Sequence, residues 1–99
     1  MEIYDYAKYI INNITRATIG NALKISDKID STYKFIDLIN NICKYIDELI
    51  LNNRLEKEKC YSIYYIINKY TKLYNSQFST KKYIINDFII DLWKIMNSK

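Results

Sequence analysis

Apolar residues recur at intervals of three and four along nearly the whole chain, the spacing that lines them up on one face of a helix. Ile3, Ala7, Ile10, Ile14 and Ala17 form the first such line, with Asp5, Lys8, Asn12 and Arg16 opposite. A helix is therefore expected from about Ile3 to Ile19. Gly20-Asn21, two residues that tolerate a left-handed backbone, would end it, and Ala22 to Ile25 would add a short turn. A second helix is expected to start near Ser26-Asp27 or Asp30-Ser31, whose side chains can cap free N–H groups, and to run to about Leu51. It carries two adjacent seams: Ile36, Ile39, Cys43, Ile46 and Ile50 beside Phe35, Leu38, Ile42, Tyr45 and Leu49.

Asn52-Asn53 reads as a tight turn into a third helix, from about Arg54 to Tyr74. Its seam is Cys60, Ile63, Ile67, Tyr70 and Tyr74, flanked by Ile66 and Leu73, with Glu58, Ser62, Lys69 and Lys72 turned away. β-Favouring residues crowd Tyr61 to Tyr70, but the polar positions there recur at helical rather than alternate spacing. After a turn at Asn75-Ser76-Gln77, Phe78-Ser79-Thr80 would open a fourth helix with a hydroxyl cap and a hydrophobic staple. Ile85, Phe88, Ile89, Leu92 and Met96 would face inward, and Asp87, Asp91 and Lys94 outward. Four amphipathic helices on short turns predict an all-α fold, an antiparallel four-helix bundle forming one domain over residues 1–99. Ile84, Ile90, Trp93 and several tyrosines fall off the seams. They call for a broad aromatic core or for a partner surface.

Composition narrows the chemistry. The 99 residues include no His, no Pro and one Gly. Without imidazole there is no Ser-His-Asp triad, no Cys-His pair and no His metal ligand. With Gly20 alone, no glycine-rich phosphate loop can form. The expectation is a protein that is no enzyme and needs no cofactor. Abundant Ile, Asn, Lys and Tyr without Val mark an AT-rich gene, as found in some bacteria, phages and viruses.

The net charge of +4 is uneven: residues 1–50 carry six basic and seven acidic side chains, residues 51–99 nine and four. Lys69, Lys72, Lys81 and Lys82 bracket the turn between the third and fourth helices, interleaved with Tyr70, Tyr74 and Tyr83. Such a set can be a solvated face, a grip on an acidic protein or a hold on nucleic acid. No helix-turn-helix cue accompanies it, so nucleic acid ranks behind a protein partner. Lys69, Lys72, Lys81, Lys82 and Trp93 are the candidate contact residues. Met1-Glu2-Ile3-Tyr4-Asp5 does not resemble a secretion signal, and the longest apolar run, Ile63 to Ile67, is too short to span a membrane. The expected location is cytoplasmic, in the host cytoplasm if the gene is viral.

The midpoint between Cys43 and Cys60 falls near Leu51-Asn52, at the turn, so an antiparallel hairpin sets them level on inward seams. They can form a disulfide or stay as two buried reduced thiols. Asp87 and Asp91 share a helix face, where ordinary solvated charge competes with acid–base work.

The chain resembles the immunity proteins that protect producers of pediocin-like bacteriocins. The resemblance rests on Ala7-Lys8-x-Ile10-Ile11, on Phe35-Ile36-Asp37-Leu38-Ile39, and on Phe78-Ser79 followed by Ile85, Ile89 and Leu92. It implies an antiparallel four-helix bundle that binds without catalysis and blocks a toxin at its membrane receptor. It also implies recognition through the C-terminal half, here Arg54 to Lys99. The family usually extends past its fourth helix, whereas this sequence reaches Lys99 soon after Met96. A phage or viral accessory protein that disarms a host factor, alone or as a homodimer, requires the same physics with a different partner.

Overall fold

A computed structural model describes residues 2–76 and 81–98, and helices carry almost all of them. They are α1 (Ile3–Ile14), α2 (Ile19–Thr32), α3 (Phe35–Leu51), α4 (Lys57–Ser76) and α5 (Lys81–Met96). The all-α expectation stands, but the described residues form five helices rather than four. The proposed cap at Phe78-Ser79-Thr80 lies outside the described residues.

The difference is confined to the N-terminal half. The first helix stops at Ile14, and Arg16 turns the chain with a left-handed backbone (φ 73°). Thr18 then caps α2, its hydroxyl accepting the Asn21 N–H at 3.2 Å. Gly20 is thus no stop; it sits in the first turn of α2, where a missing side chain costs little. The expected long second helix breaks at Tyr33-Lys34, two extended residues between α2 and α3. These breaks free α2 to pack as a helix in its own right.

The helices form a ring in the order α1, α3, α4, α5, α2, and α2 closes only thinly back onto α1. Buried side chains from all five make one core. Phe88 anchors it, edge-on to Phe35 (5.5 Å between centroids) and to Tyr70 (5.7 Å). Each such pair adds about 0.5–1.5 kcal/mol beyond burial. In α4 the expected seam holds for Cys60, Ile63, Ile67 and Tyr70, which are buried along with the flanking Ile66, whereas Tyr74 is half-buried. In α3 the buried stripe is centred on Phe35, Leu38, Ile39, Ile42 and Ile46, with Ile36, Cys43 and Ile50 at its edges. The apolar surplus is only partly taken inside, since Tyr9, Tyr61, Tyr65 and Tyr83 stay exposed. Ile84 is buried, and Ile90 and Trp93 are half-buried.

Polar bonds fix this arrangement. Ser26, fully buried on α2, donates its hydroxyl to the Asn86 side-chain oxygen on α5. At the other end of α5, Asn97 Oδ1 accepts the Arg16 N–H at 2.7 Å, and Nδ2 donates to the Ile14 carbonyl at 3.0 Å. Trp93 Nε1 donates to the Ala17 carbonyl at 2.6 Å. The end of α5 therefore holds the α1–α2 turn. No helix among the described residues is long and apolar enough to cross a membrane.

Candidate functional site

Helix α4 points its apolar residues inward, and its helical period leaves a second stripe on the far side. Tyr61, Tyr65, Asn68 and Lys72 fall at i, i+4, i+7 and i+11 along that outer line, with Lys69 at its edge. All five are exposed. The two rings are the notable members: Tyr61 is 68% and Tyr65 69% exposed. The other tyrosines of α4 are engaged. Tyr64 donates its hydroxyl to Asp47 on α3, and Tyr70 to Asp91 on α5. Tyr74 packs on Phe35 with centroids 4.9 Å apart. The charge of α4 sums to +3, against −2 for α3 and +1 for α5.

The five contact residues expected from the sequence separate on this scaffold. Lys69 and Lys72 lie on the open side of α4, although Lys69 also leans over the Tyr70 ring at 5.2 Å. Lys81 turns back on α4, donating to the Tyr74 carbonyl at 3.2 Å with its ammonium 4.2 Å from the Tyr74 ring centre. Lys82 pairs with Asp27 of α2 at 3.1 Å, an exposed pair worth little. Trp93 is half-buried and spends its N–H on the α1–α2 turn. Lys69 and Lys72 thus remain together with the tyrosine pair, while Lys81, Lys82 and Trp93 serve contacts within the fold.

Tyr61 and Tyr65 were readable in the sequence and passed over: they lie four apart, opposite Cys60, Ile63 and Ile67. The expectation that Asp91 faces outward is corrected. It is half-buried, because the buried Tyr70 hydroxyl needs an acceptor there. Asp87 is exposed as expected.

The titratable groups describe a seam rather than a catalytic centre. Burial, then the bond to Asp47, pushes the Tyr64 hydroxyl well above its ordinary value of 10.0. Burial and the Asp91 bond raise Tyr70 in the same way. Tyr4, which donates to Glu48, is pushed up to about 12, chiefly by that bond. Cys43 and Cys60 are both free thiols. Burial raises each, with Asp47 adding to it, so neither is poised as a thiolate near neutral pH. Both also act on Tyr64, which gathers the two thiols around the Tyr64–Asp47 bond on the α3–α4 seam. Among the described residues, no group of three His, Cys, Asp or Glu side chains converges to hold a metal ion.

No protein-family model, curated protein or solved structure matches the chain.

Proposed function

We propose that the chain is a non-catalytic binding protein whose outer α4 face covers an acidic surface on another protein. One observation carries the reading: two tyrosine rings, each about two-thirds exposed, stand one helical turn apart in line with Lys72 on the most basic helix of the fold. Tyrosine offers large contact area at low entropic cost and is enriched among residues that dominate binding energy. Lysine on the same line favours carboxylates opposite. A second copy of this face is a poor match, since two helices of charge +3 would repel. The i, i+4, i+7, i+11 spacing suits an acidic amphipathic helix laid along α4. The immunity-type role implied by the resemblance, and the disarming of a host factor, are both cases of this reading.

The test is selection of helical peptides from a displayed library against the full chain, followed by affinity measurement. Enriched sequences are expected to be acidic, and Tyr61→Ala with Tyr65→Ala should cost about 2 kcal/mol or more of binding, roughly thirtyfold. Lys72→Glu should weaken acidic peptides and leave neutral ones unaffected. Selection of basic or charge-indifferent peptides, or binding untouched by the tyrosine changes, would overturn the proposal.

A further inference from the structure

The geometry points to a second site, independent of α4: the cleft between α1 and α2 binds a small planar aromatic anion, its ring stacked on Tyr9 and its carboxylate or phosphate held at Lys24. The cleft exists because of how the ring of helices closes. Helix α1 packs chiefly on α3 and α2 chiefly on α5, so their mutual seam is thin. A cavity of about 480 Å³ opens there, within the range of sites for small ligands.

The walls are aromatic on one side and basic on the other. Tyr6 and Tyr9 on α1 lie nearly parallel, 11° between planes and 6.0 Å between centroids. Tyr33, in the α2–α3 link, lies 5.3 Å from Tyr6. Three rings are thereby fixed before any ligand arrives, and Tyr9 remains 46% exposed. Across from them, Asn21, Lys24 and Lys28 fall at i, i+3 and i+7 on one face of α2. Lys24 is exposed and has no ion-pair partner among the described residues. Among the described residues, no carboxylate lines the cavity. Flat π-faces accept flat rings, and an ammonium beside them accepts an anion. A concave site between two helices takes a compact molecule rather than an extended chain. A mononucleotide and an aromatic carboxylate both carry the required chemistry.

Isothermal titration of the full chain with adenosine monophosphate, 2-naphthoate, adenosine and inorganic phosphate tests the proposal. At least one of the two aromatic anions should bind saturably at millimolar concentration or below, and which one does identifies the anionic group. Adenosine and phosphate alone should be much weaker. Tyr9→Ala should weaken binding about tenfold, the usual worth of one stacking ring. Lys24→Gln should also weaken it and flatten its salt dependence. Both positions are exposed, so an unchanged thermal melt checks that the variants fold. Tyr65→Ala, on α4, should leave this binding unchanged, which keeps the result separate from the fate of the α4 reading. No saturable binding by either anion, equal binding of adenosine and its monophosphate, or binding untouched by both variants would overturn the site.

Discussion

Replacing Asn97 by Ala tests whether the end of α5 sets the boundary between α1 and α2. The side chain makes two bonds across the fold, accepting from Arg16 N–H at 2.7 Å and donating to the Ile14 carbonyl at 3.0 Å. Its third bond, to the Trp93 carbonyl, stays within its own helix end. A net hydrogen bond is worth about 0.5–1.5 kcal/mol, so losing two gives roughly 1–3 kcal/mol. Arg16 is exposed, so water can reach its N–H, and the buried Ile14 carbonyl keeps the Ala17 N–H at 3.2 Å, which places the expected loss in the lower half of that range, about 1–2 kcal/mol. Helix propensity hardly enters, because Asn97 follows the last residue of α5. For a domain of this size the melting temperature should fall by roughly 4–16 °C. Urea unfolding gives the free energy, and Asn40→Ala, an exposed position on α3, is the control. Amide exchange at Arg16 should accelerate in the variant. A loss under about 0.5 kcal/mol, or one no larger than the control's, would refute the claim that this turn is held from α5.

Two further outcomes follow from the same geometry. Tyr4, Tyr64 and Tyr70 all have hydroxyl values raised above 10.0 in the fold, so their neutral forms stabilise it below that pH. The two thiols, raised above 9.0, act in the same sense. Stability should therefore hold at neutral pH, decline from about pH 9 upward and keep declining through the raised tyrosine range. Tyr70→Phe should flatten that alkaline slope in urea unfolding, and an unchanged slope would contradict the assignment. At Arg16 (φ 73°) a side chain is strained by about 1–2 kcal/mol, whereas glycine is not. Arg16→Gly should thus stabilise by up to about 1 kcal/mol after glycine's own entropic cost. A destabilised variant would show that the arginine side chain does something the backbone does not.

What the sequence could and could not convey follows from where the forces lie. The faces of α3, α4 and α5 are legible because burial is one-sided there: Cys60, Ile63, Ile67 and Tyr70 inward, Glu58, Ser62, Lys69 and Lys72 outward. The five-helix count is not legible because its breaks are tertiary. Ile14-Thr15-Arg16-Ala17 contains no breaker, and the bonds that stop α1 come from Asn97 and Trp93, some eighty residues away. Tyr33-Lys34 likewise lacks Gly and Pro, and there the Tyr33 ring packs on Tyr6. Gly20 misled in the other direction: it is a stop signal by type, yet it sits at a helix start that Thr18 already caps. The outer α4 stripe was in principle readable from period alone. The α1–α2 cleft was not, since it exists only once α2 is a separate helix.

The helix order has a consequence for how the chain is made. Helix α2 leaves the ribosome before α5, yet it packs chiefly on α5, with its buried Ser26 bonded to Asn86 sixty residues downstream. Until α5 has been made, the nascent chain carries an uncovered sticky strip, and a polypeptide stalled after α4 would be a substrate for chaperones and proteases rather than a smaller working protein.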